Sequence, residues 1–232
     1  DDPIIIGNIE EEITLELFEE LALPDRGLVF RVETKEPEAC LNATISTRLN
    51  RQPTRMELDI IEVEEPGECT PGLAPAKGNE VAGIVANTNY VFTVDIRNIV
   101  ESEGTLEVTP EAIRISFSNP QGFSIVHEEL LRIPQEVMWG YVSGNGPTTT
   151  NIINELSDIG VPADLLAGYY GYFEINGPDS YEILEDKPDE EHLPFLFLYA
   201  GSDQEVAATI DNLRTENPGF EIYLRNARGE SF

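Results

Sequence analysis

Apolar and polar residues alternate along the segment 87–117. Turn residues, Ser102-Glu103-Gly104 and then Pro110, divide the alternation into three runs. The apolar members of the runs are Tyr90, Phe92, Val94 and Ile96, then Leu106 and Val108, then Ile113, Ile115 and Phe117. A period of two is typical of antiparallel strands with one buried face. The segment therefore predicts three consecutive strands of an antiparallel sheet.

Similar short apolar runs precede this segment. They lie at about residues 13–17, 28–32, 41–49, 56–63 and 81–85, and bring the total to seven or eight strands. Closely spaced strands of this kind predict a β-sandwich with an immunoglobulin-like pattern over residues 1–122. The resemblance is one of pattern, since the only Trp is Trp139 and does not stand between two Cys.

The second half of the chain carries a strand–helix–strand pattern twice. In the first copy, a strand at 137–143 precedes a helix that presents Ile152, Leu156 and Ile159, and residues 171–175 form the returning strand. In the second copy, a strand at 195–200 precedes a helix that begins with a Ser202–Glu205 capping box, and residues 220–224 return. We predict an α+β chain in which residues 123–135 are a linker or extra strand and residues 136–232 are a two-copy βαβ, ferredoxin-like domain.

The charge of the chain excludes two classes of partner. The 44 acidic residues outnumber the 14 basic ones, and the formal net charge is -30. Such a chain repels nucleic acid and anionic lipid surfaces. We favour a solvated surface that keeps the protein soluble, with adaptation to high salt and binding of cations as alternatives.

The two cysteines and the termini indicate a compartment. An even cysteine count in a strand-rich chain predicts a disulfide between Cys40 and Cys69, at the rim of the sheet, and hence an oxidising environment. No apolar run reaches the roughly 20 residues of a membrane span. The chain starts at Asp1 without Met, so we expect a processed product that has lost its leader and any lipid anchor with it. The predicted location is extracytoplasmic: periplasmic, secreted or on the outer surface.

Two clusters are candidate sites, each with a structural alternative that we favour. The aromatic residues Tyr169, Tyr170, Tyr172 and Phe173 would expose one pair as a ligand surface, unless they pack in the core. The acidic residues Asp179, Glu182, Glu185, Asp186 and Asp189 would gather Ca²⁺, unless they are a solvated charge run. Apart from calcium, no cofactor is indicated. His127 and His192 lack ligands at zinc spacing.

No catalytic motif stands out, so we predict a non-catalytic secreted or cell-surface binding or structural protein with an unidentified protein or glycan partner. The stretch FLFLYAGSDQEVAATIDNLRTENPGFEIYL, residues 195–224, is similar to half of the domains that bind peptidoglycan glycan strands in bacterial division proteins. That resemblance implies envelope binding through the C-terminal domain, which is the first alternative. The second alternative is a hydrolase with dispersed catalytic residues.

Overall fold

The computed structural model describes residues 12–21, 25–177 and 180–232. The chain is mostly β, and its described part contains two helices. Within that part no helix is both long and apolar enough to cross a membrane. Two compact units divide the chain: Asp1–Glu20 with Arg26–Leu130, and Leu21–Asp25 with Leu131–Phe232. The domain boundaries 122 and 136 stay a prediction.

The first unit is built on a large curled sheet. Its strands are β1 (Ile13–Glu20), β2 (Gly27–Thr34), β3 (Glu38–Cys40), β4 (Thr44–Gln52), β5 (Arg55–Glu64), β6 (Pro71–Ala74), β7 (Lys77–Gly83), β8 (Asn89–Ile96), β9 (Val100–Val108), β10 (Ala112–Phe117) and β11 (Phe123–Ile125), and β12 (Glu129–Leu131) runs to the boundary. Ten of them form one sheet in the order β11-β1-β2-β7-β4-β5-β8-β9-β10-β12. The strands β3 and β6 form a separate two-stranded ribbon.

The sheet is joined weakly at its middle. The strands β4 and β7 share a single bridge, Thr44 with Lys77, whereas β1 pairs with β2 and β8 with β9 over eight residues each. The rings of Phe30 on β2 and Phe92 on β8 stack with their centroids 4.8 Å apart, although three strands separate β2 from β8 in the sheet. The sheet must therefore curl until its own faces meet around one apolar core.

The turn inside the opening pattern is not where the sequence placed it. Strand β9 runs through Ser102 and Gly104, and the hairpin turns at Arg97 and Asn98, which have φ of 57° and 53°. The Asp95 carboxylate accepts a hydrogen bond from the Asn98 N–H at 2.8 Å and stabilises this turn. Gly104 lies within β9 at a position that requires glycine, since a Cβ there would overlap the carbonyl oxygen of Ser116 on β10.

The predicted disulfide joins Cys40 and Cys69, with their Cα atoms 5.4 Å apart. It closes the β3–β6 ribbon, and its two ends differ in exposure. Cys69 is exposed but Cys40 is buried, although inward-facing Leu41, Ala43 and Ile45 would place Cys40 among the outward-facing residues. The alternation starts later than predicted: Leu41 is half-exposed in a turn, and the buried positions begin at Ala43 and Ile45.

The second unit has a four-stranded sheet with two helices on one face. Its elements are β13 (Val137–Ser143), α1 (Pro147–Ser157), β14 (Val161–Pro162), β15 (Gly168–Tyr169), β16 (Phe173–Gly177), β17 (Ser180–Ile183), β18 (His192–Leu198), α2 (Asp203–Glu216) and β19 (Ile222–Asn226). The sheet order is β14-β18-β13-β19, and every neighbouring pair is antiparallel. Both helices bury their apolar side chains against it, including Ile152 and Leu156 from α1 and Val206, Ile210 and Leu213 from α2.

Two expectations for this unit have opposite outcomes. The capping box that begins α2 is present, since the Ser202 side chain accepts from the Glu205 N–H and the Glu205 carboxylate accepts from the Ser202 N–H. The prediction that residues 171–175 return to the same sheet is wrong. The strand that pairs with β18 is the two-residue β14, and β16 instead pairs with β15 and β17 in a separate three-stranded sheet.

Candidate functional site

The predicted aromatic surface is part of the interior. Tyr169, Tyr170, Tyr172 and Phe173 are exposed by 4%, 4%, 3% and 0%, so they do not form an exposed ligand surface. The physical reason is a second apolar layer. Trp139 on β13 lies on the face of the sheet opposite the helices, and its ring centroid is 5.5 Å from that of Tyr172 and 5.3 Å from that of Phe173.

The predicted calcium ligands are engaged by other groups of the chain or lie apart. Asp179 is outside the described residues. Glu182 pairs with Lys187 at 3.2 Å, and Asp186 accepts from Arg225 at 2.9 Å and from the Tyr223 hydroxyl at 3.0 Å. In the described ranges no three His, Cys, Asp or Glu residues form a group that could hold a metal ion. Calcium binding by this loop therefore stays a prediction, now without a formed site to support it.

One end of the β13–β19 pair carries a tyrosine–carboxylate cluster, which sequence reasoning missed. The strand register places Tyr141 opposite Tyr223, and their rings stack at 5.2 Å. The Tyr141 hydroxyl donates to Glu221 at 2.9 Å, and the His192 ring lies 5.4 Å from the Tyr141 ring. Asp186 completes the cluster through Tyr223. The available signal was one tyrosine in each predicted strand, but only the strand register shows that the two meet.

The electrostatics of this cluster favour hydrogen bonding over proton transfer. Burial, followed by the hydrogen bond to Glu221, raises the pKa of Tyr141 well above its ordinary value. Burial is also the main cause that raises the pKa of Tyr223. Both phenols therefore stay protonated at neutral pH and act as hydroxyl donors, because a neighbouring carboxylate and a low local polarity both disfavour the phenolate.

A second feature is a cavity of about 540 Å³ beside the edge strand β14, which we name the β14 pocket. It lies among the loop that follows β14, the β16–β17 hairpin and the edge of β18. Its walls are mostly apolar, and its lining residues are Pro162, Ala163, Asp164, Leu165, Leu166, Ala167, Ile175, Gly177, Tyr181 and Leu196. Of the lining residues, Leu166 leaves a large part of its apolar side chain exposed, at 72%.

Sequence reasoning did not predict this pocket. Residues 161–170 interrupt the resemblance between the two βαβ copies, and this insertion supplies most of the lining. The chain leaves the sheet after Pro162, because the β14 ladder contains only Val161 and Pro162. A large apolar cavity with few polar groups is the usual form of a small-ligand site.

Comparison of the chain with protein-family models, with curated proteins and with solved structures gave no match.

Proposed function

We propose that the protein is a non-catalytic, extracytoplasmic binding protein whose second unit takes an apolar ligand in the β14 pocket. The observation that carries this proposal is the pocket itself: about 540 Å³ of space with mostly apolar walls and Asp164 as its one charged lining residue. The volume lies in the usual range for small-molecule sites. Burying an apolar ligand there would cover surface that is otherwise left in contact with water.

The extracytoplasmic location rests on the disulfide. The Cys40–Cys69 bridge closes a ribbon whose Cys69 end is exposed and open to cellular reductants. Such a bridge persists in oxidising compartments and is rare where glutathione keeps thiols reduced. A secreted, periplasmic or surface-exposed protein of this charge would also stay soluble without a partner.

We also propose a β-sandwich for the first unit and a ferredoxin-like fold for the second unit. The single bridge between β4 and β7 divides the curled sheet into four strands and six strands, and the Phe30–Phe92 stack joins the two parts face to face, which supports a β-sandwich. The order β14-β18-β13-β19 with helices between β13 and β14 and between β18 and β19 supports a ferredoxin-like second unit. The two folds would act as scaffolds, and the binding site would lie in the insertion.

Binding to the pocket can be tested with a neutral apolar fluorophore, N-phenyl-1-naphthylamine. A neutral probe avoids repulsion by the net charge of -30. We expect saturable fluorescence enhancement with one site per chain. The variant Ala167→Trp, which places an indole at the lining, should weaken binding by about tenfold or more, because the indole occupies the space that the probe would fill.

The matched control is Ala208→Trp, on the exposed face of α2 and away from the lining. It adds the same side chain and should leave probe binding unchanged. Equal binding by the wild-type protein and Ala167→Trp would place the probe elsewhere and remove the proposed function.

The tyrosine–carboxylate cluster favours a second candidate, binding of envelope glycans by the same unit. Stacked tyrosine rings beside carboxylate acceptors are the groups that contact sugar faces and sugar hydroxyls. In this cluster Tyr223 and His192 are partly exposed, and Glu221 is exposed. Co-sedimentation with purified peptidoglycan, compared between the wild-type protein and Tyr223→Ala, tests this candidate. Equal recovery of the two proteins in the pellet would reject it.

A further inference from the structure

The hydrogen-bonding direction along β18 can be assigned residue by residue. The Tyr199 N–H donates to Glu136 at 2.8 Å, on the side of β13. Alternate residues of an antiparallel strand turn their backbone groups to opposite sides. Leu198 and Leu196 therefore turn theirs away from β13, and on that side Leu198 pairs with Val161 of β14.

The outer edge of β18 is then open at Leu196. The β14 ladder ends at Pro162, opposite Phe197, and the chain moves away into residues 163–167. Among the residues that the structure describes, none forms a ladder with Leu196 on this side. Leu196 is also a lining residue of the β14 pocket. A residue of the pocket lining therefore has no ladder partner for its outward N–H and C=O.

A proline limits this edge on its other side. Pro194 lies two residues before Leu196 and faces the same way, and it has no N–H to donate. Proline on an edge strand prevents long strand addition. The edge can therefore accept a short extended segment but not a full additional strand.

We propose that the ligand of the β14 pocket is an extended peptide segment that pairs with the Leu196 backbone and places one bulky apolar side chain in the cavity. This inference rests on the proposed function and names its ligand class. Backbone pairing of this kind supplies affinity, while the pocket selects the side chain. Asp164 in the lining and the net charge of -30 favour basic residues beside the apolar one.

The probe is a fluorescein-labelled peptide, Lys-Lys-Val-Leu-Val-Lys-Lys, measured by fluorescence anisotropy at about 0.15 M ionic strength, where long-range attraction is largely screened. A series in which each central amide is N-methylated in turn tests the pairing. Because every second amide of a strand faces its neighbour, we expect sensitive and insensitive positions to alternate. A sensitive position should lose about tenfold in affinity. Equal loss at every position, or none at all, would overturn the proposal.

The matched protein variants are Leu196→Pro and Leu196→Val. Both change the side chain, but only Leu196→Pro removes the outward N–H, and it leaves the pairing with β13 intact, as Pro194 already does on the same edge. We expect Leu196→Pro to weaken peptide binding by about tenfold relative to Leu196→Val. Fluorescence of the buried Trp139 reports whether each variant is folded. Equal affinities of two folded variants would overturn the proposal.

Binding of N-phenyl-1-naphthylamine separates this inference from the proposed function. Retained fluorophore binding without peptide binding would leave the pocket as a small-molecule site and overturn only the peptide. If the wild-type protein binds neither the fluorophore nor the peptide, both the peptide inference and the proposed function are overturned.

Discussion

Reducing the Cys40–Cys69 disulfide should destabilise the first unit by about 3.6 kcal/mol. The two residues are 29 positions apart in the sequence. In the chain-entropy model a cross-link lowers the entropy of the unfolded chain by about 2.1 + 1.5R ln n cal/mol/K, which for this loop is about 12 cal/mol/K, or about 3.6 kcal/mol at 25 °C. This is a large share of the 5–15 kcal/mol typical of a whole domain.

The β3–β6 ribbon should keep its native structure after reduction. The loss of stability should therefore come from the greater entropy of the unfolded chain. The Asn42 side chain donates to the Glu68 carbonyl and accepts from the Thr70 N–H, each at 2.9 Å, and holds the two arms together beside the bridge. Cys40 is buried and keeps its packing as a thiol. The reduced protein should therefore be folded, with its strand content unchanged at neutral pH.

Urea unfolding followed by far-ultraviolet circular dichroism, with and without a reductant, measures the difference in the free energy of unfolding. Trp139 is the only tryptophan and lies in the second unit, so its fluorescence reports that unit separately. The variant Cys40→Ala/Cys69→Ala, insensitive to the reductant, is the control for chemical effects on the rest of the chain. A reduced wild-type protein within about 1 kcal/mol of the oxidised one would refute the chain-entropy reasoning for this loop.

Four further predictions concern the second unit and the charge. Gly140→Ala would place a Cβ against the Tyr223 carbonyl across the β13–β19 ladder and should lower the free energy of unfolding by about 3 kcal/mol. Chemical unfolding followed by Trp139 fluorescence measures this loss, and unchanged stability would contradict the close approach of the two strands. Ser202→Ala should cost about 1 kcal/mol at neutral pH. The hydrogen bond from the Tyr199 hydroxyl is the main cause that lowers the pKa of Glu205 below 4.5, so this carboxylate stabilises the fold above that pH, and the contribution disappears as the pH falls through the lowered pKa. Glu205→Gln should flatten this part of the pH–Tm curve, and an identical curve would argue against the Glu205 carboxylate as its source. If the net charge of -30 is a high-salt adaptation, Tm should rise with NaCl concentration. At equal ionic strength, Tm should be the same in CaCl₂ as in NaCl, and a higher Tm in CaCl₂ would indicate that residues 179–189 bind Ca²⁺.

Sequence patterns succeeded where the physical cause is local. The alternation of Tyr90, Phe92 and Val94 places all three in the core, as their period of two requires. The α2 capping box needs only the Ser202 and Glu205 side chains and the backbone of the four residues that they span. Such features depend on neighbours within one element, so the sequence alone is enough to predict them.

The failures share a different cause, which is competition between partners distant in the sequence. The segment 171–175 has the composition of a strand and is one in part, but β18 pairs with Val161 and Pro162 instead. The aromatic residues of that segment pack over Trp139, on the face that a two-layer domain would leave open. Only the strand register decides between these arrangements, and one sequence carries no direct signal for it.

The treatment of exposed strand edges is the strongest argument for the β14 pocket as a functional site. Where β4 and β7 separate, side chains cover the gap: Arg51 donates to the Ala82 carbonyl at 2.7 Å, and Thr47 donates to the Glu80 carboxylate at 3.0 Å. Such devices prevent unwanted strand pairing. On β18 a proline blocks one position, yet Leu196, the next residue to face outward and part of the lining of the β14 pocket, has no ladder partner for its donor and its acceptor among the described residues. A short peptide ligand requires a strand edge with a free backbone position and, beside it, space for a side chain. The outer edge of β18 offers this arrangement at Leu196, next to the position that Pro194 blocks.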